Sequence, residues 1–96
     1  MATGAIATIK VREGKDAEFA AAAHEMMAAV RAHEPGNRLY TFFKSRKEER
    51  TYVVLEIYDN DDAAKFHTKS DHFRNIAPKL GAAMIGMPDV HYLESI

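Results

Sequence analysis

Five side chains of this 96-residue chain could do proton chemistry together: Tyr40, Glu56, Tyr58, His67 and His72. Imidazole is the side chain whose charge changes near neutral pH without help. A histidine beside a cavity is therefore a candidate general base, or a hydrogen-bond partner for a carbonyl or phenol. His67 admits two readings: a base facing a cavity, or a ring packed on the protein's own interior and bonded to a backbone carbonyl. His72 either contacts a substrate or steadies a loop. Glu56 shares a strand face with Val54 and Tyr58, and a carboxylate turned inward needs a partner, because burying it unpaired costs several kcal/mol or shifts its pKa. That partner is either Tyr40, which makes Glu56 a pocket acid or base, or an arginine such as Arg38 or one from a second copy. Tyr40 and Tyr58 are cavity phenols on one reading and interface aromatics on the other.

A metal site at the two histidines is not expected. They are five residues apart, so a continuous helix would splay them by about 140°; a break at Ser70 could bring them together, but no clear carboxylate stands at ligand spacing beside them. Cysteine is absent, which excludes disulfides, thiol nucleophiles and iron–sulfur clusters. No glycine-rich phosphate loop of the dinucleotide type occurs. The expectation is a protein without metal or cofactor.

The elements that must position these residues follow from periodicity. Ala5, Ala7, Ile9 and Val11 alternate with Ile6, Thr8 and Lys10, a strand over 3–11 that Gly14 ends. Phe19, Ala23, Met26, Met27 and Val30 recur at helical spacing in an alanine-rich run from Asp16 to about His33. Pro35 stops that helix, because proline disfavours helical geometry in the residue before it. Residues 39–45 and 51–58 form a hairpin through the charged tip Lys44–Arg50. Asp59, Asn60 and Asp61 are capping types that start a second helix, whose inner face carries Ala63, Phe66, His67 and Ser70. Ser70 breaks it and caps a further helix with Phe73, Ile76 and Ala77, which Pro78 is expected to end. Leu80 to Ile85 adds a turn, and residues 90–94 form the last strand.

The order β-α-β-β-α-(α)-β specifies an α+β fold: a ferredoxin-like split β-α-β sandwich, with helices on one face of a four-stranded antiparallel sheet. The other face also carries apolar groups. In the middle hairpin Tyr40 and Phe42 lie on one side and Leu39, Thr41 and Phe43 on the other. A small sheet with two apolar faces calls for a second sheet, which a homodimer supplies.

The segment from Leu55 to Phe73 resembles the antibiotic biosynthesis monooxygenase superfamily of small dimeric α+β barrel proteins. The resemblance lies in Glu56 and Tyr58 closing a strand, the acidic turn with Asp61, then Ala63, His67, Ser70, His72 and Phe73. The block HEPGNRLY agrees, with Glu34, Pro35, Gly36 and Tyr40 in family-like positions, and VREGKDAEF (11–19) agrees more weakly. The resemblance implies one domain over residues 1–96, a dimeric barrel, and a small aromatic or quinol-like partner. Its members differ in chemistry. Candidate catalytic residues are His67, Glu56 and Tyr40. Candidate substrate contacts are His72, Phe73, Tyr58, Met26, Phe42 and Met84, although helical methionines such as Met26 also read as core.

Composition closes off other classes. The net charge is −1 with both signs interspersed, so neither a nucleic-acid nor a membrane footprint is expected. No signal peptide or long apolar run is evident, and a cytoplasmic protein is the expectation. Three functions then compete. One is a cofactor-independent monooxygenase oxidising a quinol or polyphenol. Another is an isomerase moving a proton on a small oxygenated metabolite. The third is a non-catalytic ligand-binding, stress-response dimer. Haem degradation, known among members of the superfamily, is disfavoured: those members rely on an Asn, a Trp and a His, whereas this chain has no tryptophan and places Ala77 where their histidine lies.

Overall fold

The computed structural model of the chain describes all residues, 1–96. Strand β1 (Thr3–Lys10) leads to helix α1 (Asp16–His33), then to strands β2 (Asn37–Lys44) and β3 (Thr51–Tyr58). Helices α2 (Asp61–Lys69) and α3 (Asp71–Ala83) follow, and β4 (Asp89–Glu94) closes the chain. The four strands form one antiparallel sheet in the order β2-β3-β1-β4. This is the ferredoxin-like α+β fold, with the helices on one face.

Alternation places the core. Ala5, Ala7 and Ile9 of β1 and Tyr52 and Val54 of β3 turn toward the helices and are buried. Opposite them, α1 supplies Phe19, Ala23, Met26 and Val30, and α3 supplies Ile76, Leu80 and Ala83. Phe19 joins the layers, with its ring 4.7 Å from Tyr52 and 5.8 Å from Phe42, centroid to centroid. Val11 leaves the regular strand but pairs with Met84 in an isolated bridge, which ties the end of β1 to the end of α3.

Helix ends follow the capping residues. Asn60 accepts from the Ala63 amide at 2.9 Å and starts α2. The Ser70 hydroxyl oxygen accepts from the Phe73 amide at 3.2 Å and starts α3. Each satisfies an amide that has no partner within its helix. Pro78 does not end the third helix as the sequence suggests. It lies inside α3, beyond the first turn, and costs the bond its missing N–H would have made. Leu80 and Ala83 beyond it are buried in the core, and that burial holds the helix past the proline.

Two details set up the site. Glu34 caps the C-terminus of α1, with its amide bonded to the Val30 carbonyl at 2.9 Å. Two residues later the chain passes very close to α2. A β-carbon on Gly36 would stand 2.7 Å from Cβ of Ala63, closer than real β-carbons approach one another, so glycine is required there. The Gly36 carbonyl accepts from the Asp59 amide at 2.8 Å. The end of α1 is thereby clamped to the start of α2.

Candidate functional site

His67 lies on the inner face of α2, as the helical spacing predicts, and it is buried with 4% exposure. Its neighbours are aromatic. Tyr40 and Phe73 lie 5.0 Å from its ring centre and Tyr58 lies 5.9 Å away. The break at Ser70 brings the two histidines together, so the splay of about 140° in a continuous helix does not apply. His72 starts a new helix, and its ring centre comes within 6.4 Å of that of His67.

What joins the two rings is a carboxylate that sequence spacing did not reveal. Oε2 of Glu34 lies 2.7 Å from Nδ1 of His67 and 2.5 Å from Nε2 of His72. Glu34 is 33 residues from His67 and is itself buried. An ionised carboxylate oxygen only accepts, so each facing ring nitrogen donates. Ser70 completes the arrangement: its hydroxyl donates to the His67 carbonyl at 2.7 Å. Its oxygen lies 3.0 Å from Nε2 of His72 and shares that ring's N–H with Glu34. The helix break is therefore part of the site.

These bonds set the state of His67. With Nδ1–H held by Glu34, a neutral ring carries its lone pair on Nε2. Nε2 makes no hydrogen bond within the chain. A buried imidazole, oriented by a carboxylate and with its second nitrogen free, is equipped to accept a proton.

The tyrosines and Glu56 divide differently from expectation. Glu56 bonds to Tyr58, whose hydroxyl donates to it at 2.6 Å, and not to Tyr40. Arg38 is engaged elsewhere, with Asp59 at 2.6 Å. Burial pushes the Glu56 carboxyl above its ordinary value, and the Tyr58 hydrogen bond only partly offsets it. Burial, and then the carboxylates of Glu56 and Glu34, push the Tyr40 phenol far above its usual range. The Tyr58 phenol is pushed up by burial and by Glu56. Both phenols stay neutral and act as donors. Tyr40 has no hydrogen-bond partner in the chain, so its O–H is available to a ligand.

The remaining candidates separate. Phe73 meets His67 edge-on, and Phe42 packs partly buried against the core beside Tyr40. Met26 and Met84 belong to the hydrophobic core. Met26 is fully enclosed, because its place on the inner face of α1 points it at the sheet. His72 is held in place by Glu34 and Ser70. His33 stacks on His72, with ring centres 5.6 Å apart.

The state of Glu56 has a measurable consequence. A carboxyl whose pKa rises on folding favours the protonated folded protein. Glu56 therefore contributes its full stability below the unfolded carboxylate pKa of about 4.3, and that contribution is lost as pH rises through the raised folded value. Glu56→Gln keeps a carbonyl to accept from Tyr58 and removes the ionisation. Its melting temperature relative to the parent should rise as pH climbs from about 4.3 through the raised folded value. A difference that stays constant over that range would mean that Glu56 ionises as freely in the folded chain as in the unfolded one.

Residues 3–79 match the family model described as antibiotic biosynthesis monooxygenase. The chain is 37% identical over 82 residues to the Bacillus subtilis protein named Putative monooxygenase YcnE, covering 85% of this chain and 84% of that one. It is 38% identical to a solved Caulobacter crescentus structure described as a putative antibiotic biosynthesis monooxygenase. That superposition has a TM-score of 0.95 and covers 99% of this chain and 90% of the other. A conserved protein from Methanosarcina mazei, 20% identical, shares the fold at a TM-score of 0.93 over 100% of this chain and 94% of that one. On sequence and fold together, this chain belongs to the antibiotic biosynthesis monooxygenase family.

Proposed function

We propose that the protein is a cofactor-independent monooxygenase that oxidises a quinol or polyphenol with molecular oxygen. The observation that carries this reading is the buried His67 ring, with Nδ1 held by Glu34, Nε2 free, and Tyr40, Tyr58 and Phe73 around it. Nε2 takes the phenolic proton of the substrate. The neutral Tyr40 hydroxyl donates to a substrate oxygen and stabilises the charge that develops there. The electron-rich phenolate then reduces oxygen itself. One oxygen atom stays on the substrate carbon, and the other leaves as water with the two hydrogens the substrate gives up. Glu56 and Tyr58, bonded to each other, hold the sheet side of the site. A cleft of about 270 Å³ between α1 and β2 borders both Glu34 and Tyr40, and its wall mixes Met27 and Leu39 with the polar side chains of Asn37 and Thr41.

An oxygen-electrode screen of reduced quinones and anthrone-like phenols, run on chelator-treated protein, tests the reading. Uptake above the autoxidation rate is expected. Turnover of a keto-sugar phosphate without oxygen uptake would instead mean proton-transfer isomerisation. Saturable binding without turnover would mean a ligand-binding protein.

The same reading includes a homodimer. The sheet face away from the helices carries Leu39, Phe43, Ile57 and Leu93 exposed, and Ile6 and Leu55 share a shallow apolar depression with three of them. Gly4 sits between Ile57 and Leu93 in the strand register, which leaves that face open to close packing. Sedimentation equilibrium at micromolar concentration should give the mass of two chains. A single-chain mass would remove the sheet-on-sheet arrangement.

A further inference from the structure

We propose that Glu34, His67 and His72 form a site for one divalent transition-metal ion, of the class to which Zn(II), Co(II) and Fe(II) belong. The donor atoms come from three elements, the C-cap of α1, the last turn of α2 and the first turn of α3. One atom from each lies within 4.8 Å of the others. All three residues are buried or nearly so, with side-chain exposures of 2% for Glu34, 5% for His67 and 12% for His72.

The second oxygen of Glu34 carries the argument further. Oε1 is buried and has no hydrogen-bond partner. A carboxylate oxygen left dry and unpaired beside two imidazoles is costly. A cation binding both carboxylate oxygens, or exchanging one for the other, would satisfy it. Protons now sit where the metal would sit, since Nδ1 of His67 and Nε2 of His72 both donate toward Oε2. Zinc–nitrogen and zinc–oxygen bonds of about 2.0–2.2 Å require donor atoms roughly 3.2–3.5 Å apart. The nitrogens must therefore draw back from the carboxylate by roughly 0.5–1 Å. Ser70 supports the geometry from outside, because its hydroxyl holds the His67 carbonyl and touches His72.

Two imidazoles and one carboxylate, with no thiolate, suit borderline ions better than magnesium or calcium, which prefer all-oxygen shells. Three protein ligands leave a position open for water or another small molecule. On the solvent side, a cleft that includes His33, Phe66, Ser70 and Asn75 borders the site at His72.

The site is independent of any substrate, but it bears on His67. A neutral imidazole carries one N–H. With a metal on Nδ1 that hydrogen sits on Nε2, and the ring can no longer accept a proton. The metal-loaded chain is thus the form without a base, and metal and proton transfer compete for one histidine.

The test is a titration of chelator-stripped full-length protein with Zn(II) against a chromophoric competitor, repeated with Co(II) to read its visible bands. One equivalent per chain is expected. His72→Gln should weaken binding at least ~10–100-fold, the loss typical even for an outer-shell partner, and should move the Co(II) bands. Absence of a stoichiometric site at micromolar metal would overturn the proposal. So would unchanged binding in the variant, which would place the ion on surface groups such as His91 and Asp89. A second measurement needs no variant. Nitrogen-15 spectra of the wild-type rings should show Nδ1 of His67 and Nε2 of His72 shifting on Zn(II) addition, and shifts confined to His24, His33 or His91 would overturn the site. None of these readouts needs turnover, so they stand or fall apart from the oxygenase reading.

Discussion

Replacing His67 with glutamine should lower oxygen uptake by ~10²–10⁴-fold, the usual loss on removing a general base, with the fold and melting temperature close to those of the parent. Glutamine keeps much of the imidazole's volume and can still donate to Glu34, so the buried carboxylate retains a partner on that side. What it lacks is a nitrogen that can take up a proton near neutral pH. The structure allows this separation because the two ring nitrogens do different work: Nδ1 is spent on Glu34, while Nε2 is free. Initial rates and a thermal melt on the same preparation decide it. A variant with the parent rate would reduce His67 to an orienting or packing role. A variant that fails to fold would show that its hydrogen bonds hold the helix break together.

Replacing Glu34 with alanine should have the largest effect on stability. The change leaves two imidazole N–H groups facing one another in a buried space. Leaving a buried donor without its acceptor typically costs ~1–3 kcal/mol, and two donors lose theirs here. At about 4–8 °C per kcal/mol for a domain of this size, melting should fall by at least ~8 °C. The loss is local in origin, because Glu34 connects the end of α1 to the α2–α3 junction. Amide exchange should accordingly rise first around Ser70 and the first turn of α3. A loss below ~1 kcal/mol, the worth of an ordinary hydrogen bond, would mean that the two histidines find other partners and that Glu34 is not the organising group.

Much of the frame is local in origin and therefore readable along the chain. Alternation in 3–11 identifies the face of β1 that turns to the helices, and Ala5, Ala7 and Ile9 are buried there. Asn60 and Ser70 are capping residues that act within three positions of themselves. Pro35 ends α1 through its own ring. Helical spacing also puts His67 on the inner face of α2, since Ala63, Phe66 and Ser70 are its neighbours by geometry alone. The Glu56–Tyr58 bond was within reach of the same reasoning, because residues two apart on a strand share a face.

Pro78 and Glu34 belong to the other category. A proline disfavours a helix locally, but whether the helix survives depends on what packs beyond it, and the burial of Leu80 and Ala83 is a property of the assembled core. Glu34 carries one faint local signal. An acidic residue at a helix C-terminus opposes the helix dipole, which hints that it is retained for another purpose. Its partners, however, lie 33 and 38 positions away. No periodicity of 2 or 3.6 residues connects such positions. They meet because Gly36 lets the end of α1 approach Ala63, and because the break at Ser70 turns His72 back toward His67. The sequence by itself determined the elements, their faces and the placement of one histidine, through interactions that act within a few residues. Only the tertiary structure decided that the two histidines share a buried carboxylate, because that contact depends on how three helices are clamped against one another.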